Sequence, residues 1–205
     1  MPKDQIKRGR KFDQVLKGAR DVFMREGFEG ATVDDIAQMA QVSKATLYSY
    51  FPDKRILFME VAKSECARQT DQAVEEIDFS DPPSVVLRGA ARRMVSFLVS
   101  DLGQRVFRIC VAEGERFPEL GQEFYAQGPG RGREILKDYF RIAIGKGELA
   151  IDDLDLAADQ FLELCKSDLF PRMVFGISKT FSAAEIERVV GGAVDVFLAR
   201  YGVQG

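Results

Sequence analysis

The chain contains no histidine. That removes the commonest general base and the commonest metal ligand, and with them Ser-His-Asp, Cys-His and HExxH chemistry. Cysteine is nearly as scarce. Cys66, Cys110 and Cys165 stand far apart and form no C-x-x-C pair. This argues against a disulfide framework or a zinc site and reads as three small buried hydrophobes. No apolar run reaches the roughly 18 residues of a membrane span. The N-terminal MPKDQIKRGRKF has basic residues but no apolar core behind them, so it is not a secretory signal. The expected location is the cytoplasm. Period-two alternation, internal repeats and low-complexity tracts are missing too.

What is present is an ordinary globular composition: 205 residues, 46% hydrophobic and 30% charged. The net charge of −3 does not announce a nucleic-acid binder, but its distribution is uneven. Residues 1–25 hold eight Lys/Arg against three Asp/Glu, whereas residues 56–205 hold 18 against 24. The first segment can meet phosphate; the acidic remainder is repelled by it.

Almost everything reads as helix. Phe12, Val15, Leu16, Ala19, Val22 and Phe23 make one apolar stripe, stopped by Gly27 and followed by a loose link at Gly30. Thr32 opens a T-x-x-D box with Asp35, and Val33, Ile36, Ala37 and Ala40 form the next apolar face. After a turn at Val42-Ser43, Ser43 can cap a third helix over 44–50, broken at Phe51-Pro52. Asp53 caps a long fourth helix to about Ile77. Asp81-Pro82-Pro83 marks an internal boundary, followed by helices over about 84–100, 104–113 and 131–144. Another starts near Asp155 and runs towards Phe175, and a Ser182/Glu185 capping box opens a last one to Tyr201. The expected fold is all-α with about nine helices. Carboxylate pairs such as Glu113-x-Glu115 and Asp152-Asp153-x-Asp155 can be drawn as acid/base or metal clusters, but solvated helix ends are the simpler reading. No enzyme, metal or cofactor is expected.

The stretch from Thr32 to Lys54 carries the functional signal. Two short helices joined by about three residues must cross steeply. Val42 and Leu47 supply a buried anchor, leaving Lys44, Ala45, Thr46, Tyr48 and Ser49 outward. Phosphate takes Lys, Ser, Thr and Tyr donors, and base edges take short hydroxyls and methyls. Composition alone leaves a DNA reader and a plain helical hairpin both open.

Residues 12–62 resemble the N-terminal domain of the tetracycline-repressor (TetR) family. The matching pieces are Ala19-x-x-x-Phe23 with Gly27-Phe28, Thr32-Val33-x-x-Ile36-Ala37, and Val42-Ser43-Lys44-Ala45-Thr46-Leu47-Tyr48-x-Tyr50-Phe51-x-x-Lys54. Two residues depart from the pattern. Gln41 and Ala45 stand where glycine is usual, and a left-handed Gln41 costs roughly 1 kcal/mol. The resemblance implies a domain over 1–60 with its recognition helix at about 44–50, and a regulatory and dimerisation domain over 61–205. It implies phosphate contacts from Thr32 and Ser43, base contacts from Lys44, Thr46 and Leu47, and flanking phosphate contacts from Tyr48, Tyr50 and Lys54. Tyr50 and Phe51 read alternatively as core. Lys7, Arg8, Arg10 and Lys11 would form a basic arm or a solvated tail.

Residues 108–175 resemble the C-terminal domain of the AefR-like branch, through VAEGERFPELGQEFYAQGPGR, GELAIDDLDLAADQFLEL and KSDLFPRMVFG. Such domains imply a pocket for a small amphipathic or hydrophobic effector. Its candidates are Met94, Phe97, Phe107, Cys110, Glu113, Phe117, Phe124, Tyr125 and Phe161, with Glu113, Tyr125 and Lys166 as polar groups. Plain core is the alternative for each, and Lys166 with Asp168 reads alternatively as a dimer-rim ion pair. The last two helices would make a homodimer through Ile186, Val189, Val190, Ala193, Val194 and Phe197. That would set two recognition helices about 34–36 Å apart. The whole describes a ligand-responsive repressor on a palindromic DNA operator. A ligand-independent DNA-binding protein or a helical interaction module is the alternative.

Overall fold

A computed structural model describes residues 9–115 and 118–203. Eleven α-helices make up the described residues: α1 (Arg10–Gly30), α2 (Val33–Met39), α3 (Lys44–Tyr50), α4 (Lys54–Glu76), α5 (Pro83–Val99), α6 (Asp101–Glu113), α7 (Pro118–Gln127), α8 (Pro129–Gly145), α9 (Leu154–Leu164), α10 (Leu169–Val174) and α11 (Ala183–Tyr201). None of them is long and apolar enough to cross a membrane. Two compact units result. The first takes the described residues up to Cys66 with Arg108–Phe124; the second takes Ala67–Phe107 and the residues from Tyr125 onward.

In the first unit the apolar stripe of α1 is buried as its spacing requires: Phe12, Val15, Ala19, Val22 and Phe23 are all inside. Gly27, at φ 71°, interrupts α1 where the sequence expects its end. Phe23, Phe28 and Phe58 pack with ring centroids 5.1–6.1 Å apart. Arg20 Nε donates to Glu65 Oε2 at 2.8 Å, giving the buried carboxylate of α4 a cation on α1.

The core of the second unit is drawn from α5, α8, α9 and α11. Phe197 stands at its centre, with Phe140, Phe161 and Tyr201 rings 4.8–5.2 Å away. An isolated bridge between Leu149 and Gly202 fastens the turn after α8 to the end of α11. The Ser182–Glu185 capping box that opens α11 is formed in both directions.

Two helices depart from the sequence expectation. The stretch between Phe117 and Gly128 is helical as α7, with Pro118 at its start, where proline lacks only an N–H that the first turn does not use. The single helix expected from Asp155 to Phe175 is instead α9 and α10, divided by Asp168 at φ 61°. An unbroken helix would drive the Pro171 ring into the carbonyl of Ser167. The break moves Pro171 into the first turn of α10.

The face assigned to dimerisation is core. Val189, Val190, Ala193, Val194 and Phe197 are each at most 6% exposed within one chain, packed on α5 and α9, and Ile186 is half-buried. Helical periodicity located an apolar face correctly and named the wrong cover for it. Lys166 and Asp168 do not pair with each other either. Lys166 binds Glu163, and Asp168 binds Arg172 and Arg188.

Candidate nucleic-acid interface

The turn between α2 and α3 closes with two hydrogen bonds, Gln41 N–H to Gln38 O at 3.1 Å and Val42 N–H to Ala37 O at 3.0 Å. This is the Schellman pattern, which needs a left-handed residue between them. Gln41 takes that role at φ 54°. Both helices start on hydroxyl caps. Thr32 Oγ1 accepts from Asp35 N at 3.1 Å and donates to Asp35 Oδ2 at 2.5 Å. Ser43 Oγ accepts from Thr46 N at 3.1 Å and lies 2.9 Å from Thr46 Oγ1. Ser49 Oγ donates to Thr46 O at 2.6 Å.

The end of α2 lies close against α1 at Ala40. A Cβ built on Gly18 would lie 2.7 Å from Ala40 N and 2.8 Å from Ala40 Cα. In the sequence Gly18 is a lone glycine inside a helical pattern, which carries no sign of the backbone it meets.

On α3, Lys44, Ala45, Tyr48 and Ser49 are exposed and Thr46 is half-buried. Thr32 and Ser43 are exposed at the two helix starts. These residues form the polar surface on which DNA contacts were expected. Three expected contact residues have other partners. Leu47 is 1% exposed and lies in the core, so it cannot reach a base edge. Tyr50 is half-buried, its ring edge-on to Phe12 at 5.8 Å. Lys54 Nζ donates to Phe28 O at 2.9 Å and Ala31 O at 3.0 Å and sits 4.5 Å above the Phe28 ring. Those carbonyls end α1, which gives Lys54 the work of a C-terminal cap rather than a phosphate contact. Arg10 and Lys11 are exposed at the start of α1. Lys7 and Arg8 lie outside the described residues.

Lys44 has a partner that the sequence reading missed: its Nζ forms an ion pair with Asp34 Oδ1 at the second position of α2. The hydrogen bond to Asp34, followed by that carboxylate's charge, raises the Lys44 pKa above its ordinary value. The ten-residue spacing is visible in the sequence, but the steep helix crossing that closes it is not.

The expected effector residues divide between the two units. Met94, Phe97, Phe107, Tyr125 and Phe161 belong to the second unit, Cys110 and Phe124 to the first. Phe161 is sealed in the core at 1% exposure, and Phe107 packs edge-on to Phe170 at 5.1 Å. Phe117 and the Glu113 side chain lie outside the description. A cleft of about 440 Å³ in the second unit is lined by Pro83, Ser84, Gly147, Glu148, Leu198, Gly202 and Val203, none of them an expected pocket residue. Burial pushes the Cys110 thiol up to about 11 and the Cys165 thiol up to about 12, so both stay protonated. The acidic run at the start of α9 is committed to structure: Asp153 accepts from Leu156 N at 3.0 Å, and Asp155 pairs with Lys137 and Arg133.

Comparison with known proteins bears on both units. Residues 15–61 match the family of bacterial regulatory proteins, tetR family, and residues 85–203 match the C-terminal domain of AefR-like transcriptional repressors. The chain is 29% identical over 175 residues to the HTH-type transcriptional regulator YdeS of Bacillus subtilis strain 168, covering 83% of this chain and 84% of that one. Among solved structures, a TetR-family transcriptional regulator from Mesorhizobium loti MAFF303099 superposes with a TM-score of 0.76 at 29% identity, covering 95% of this chain and 98% of that one. The flavonoid-responsive regulator FrrA superposes with a TM-score of 0.69 at 32% identity, covering 97% and 100%.

Proposed function

This chain belongs to the TetR family of bacterial regulatory proteins and is a DNA-binding transcriptional regulator rather than an enzyme, and from that premise we propose that it is a homodimeric, ligand-responsive repressor of a palindromic operator. The observation that carries the DNA side of this reading is the outward surface of α3. Lys44, Thr46, Tyr48 and Ser49 stand on it while Leu47 locks the helix to the core beneath. Lys44 and Thr46 are the proposed readers of base edges; Thr32, Ser43 and Tyr48 are the proposed phosphate contacts.

A dimer has to be made by a face other than the one packed inside the monomer. The outward side of the last three helices and the loop after α10 offers one. Leu156, Val174, Phe175, Ile177 and Val196 on these elements are each 42–79% exposed, and such apolar side chains are what a second copy would cover. Gly192 opens on space. A two-fold pairing through this side would supply the symmetry that a palindrome requires. Phe175→Asp with Ile177→Asp should turn a dimer into a monomer in sedimentation while leaving the helical content unchanged.

The effector side rests on the flavonoid response of a relative that is 32% identical over 97% of this chain. An effector of that kind has a flat apolar body with a few hydroxyl groups. We assign it to the second unit and suppose that it acts on operator affinity through α4, whose sequence passes from the first unit into the second. A 100-fold release of DNA needs about 2.7 kcal/mol of coupling, which lies within the usual allosteric range.

The test is selection from a random duplex library by the full chain. The reading requires an enriched palindrome, bound more weakly by Lys44→Ala and Tyr48→Ala although both variants remain dimeric. Failure to enrich any sequence contradicts it.

A further inference from the structure

Lys44 is the first residue of the helix proposed to read DNA, and its ammonium already holds a carboxylate. Asp34 projects from the preceding helix, and the two side chains pair on open surface, 59% and 64% exposed. The pair has no evident duty in stability, since exposed ion pairs contribute little. The start of α2 is served without it, because Thr32 and Asp35 satisfy each other there. What the pair does change is the field of the surface. A free lysine at this place would attract any phosphate; a lysine neutralised by Asp34 attracts far less.

We infer that Asp34 is a positioning residue that sets DNA specificity: it serves as an internal counterion for Lys44, releasing the ammonium only where a docked duplex offers a better acceptor. This inference rests on the DNA reading of α3. Non-operator DNA, which binds almost entirely through phosphates, does not repay the loss of the Asp34 contact. An operator that presents an acceptor in the right place does, so the carboxylate lowers non-specific binding more than specific binding. Sequence preference then comes in part from a residue that touches no base.

The experiment is a double-mutant cycle on the full chain, using the selected operator and a duplex of scrambled sequence as probes. Asp34→Asn should raise affinity for the scrambled duplex roughly threefold to tenfold, raise operator affinity less, and steepen the log–log salt slope on scrambled DNA by about one unit. Asp34→Glu should restore the wild-type ratio. In a Lys44→Ala background the gain from Asp34→Asn should shrink below about twofold, because the cation that Asp34 restrains is gone. An equal gain in both backgrounds means simple repulsion of phosphate and overturns the inference. A lower melting temperature with no change in scrambled-duplex affinity makes Asp34 merely a helix-start residue and overturns it too. A wild-type chain that binds neither duplex overturns the DNA reading itself, a result distinct from both.

Discussion

Gly18 and Ala40 meet so closely that a methyl group on Gly18 would lie 2.7 Å from the Ala40 amide nitrogen. Backbone cannot move aside as a flexible side chain can. This contact fixes α1 against the end of α2, and the turn that aims α3 begins at the next residue. Gly18→Ala gains up to about 1 kcal/mol of helix propensity. It meets an overpacking cost of about 1–3 kcal/mol, and the rigid neighbour puts the balance on the unfavourable side. Chemical denaturation should show net destabilisation, and operator affinity should fall beyond what the folded fraction explains.

Gln41 holds a left-handed conformation at φ 54° that glycine adopts freely. Gln41→Gly should therefore stabilise the first unit by about 0.5–1 kcal/mol. The side chain is exposed and loses no packing. A lower melting temperature would show that the Gln41 side chain does something the backbone geometry does not explain.

Lys54 separates two accounts of one cation. As a cap on the Phe28 and Ala31 carbonyls it supports the fold; as a phosphate contact it would support DNA affinity. Lys54→Met keeps the aliphatic stem and removes the donor. The expected outcome is a loss of about 1–2 kcal/mol of stability with the salt slope of DNA binding unchanged. A slope shallower by about one unit at unchanged stability would restore the phosphate role.

Glu185 gives the second unit an acid-sensitive element. Hydrogen bonds from the Ser182 amide and hydroxyl, and then from Arg172, hold its carboxyl at about 2, below the ordinary 4.5. The folded state therefore prefers the ionised form. That contribution is complete above about pH 4.5 and disappears as pH falls through about 2. In Glu185→Gln, the melting temperature should lie below wild type at pH 6, and the gap between the two should narrow from pH 4.5 to pH 2. A constant gap across that window would mean that the ionisation of Glu185 plays no part in stability.

The DNA-reading element was legible because its signals are local. Thr32 and Ser43 stand three residues from the groups they cap, and the Gln41 turn is set by its immediate neighbours. The Ser182–Glu185 box was legible for the same reason. Partners distant in sequence were not. Nothing near Lys54 shows that its ammonium turns to carbonyls 23 and 26 residues back. The stripe from Val189 to Phe197 has the same period whether its own chain or a second copy covers it. Hydrophobic periodicity identifies a face; only packing identifies what lies against it. The effect of proline is equally hard to place: the sequence offers no helix between about 113 and 131, where Pro118 begins α7, and an unbroken one towards Phe175, where Pro171 sits in the first turn of a separate α10.

The most direct test of the central claim is the salt dependence of binding to the selected operator, measured by fluorescence anisotropy. A dimer docking two recognition helices with six or more phosphate contacts should give log K falling linearly with log salt, at a slope of about −5 or steeper. Binding that is absent, or that does not change between low and physiological salt, would contradict the claim that the α3 surface docks on DNA.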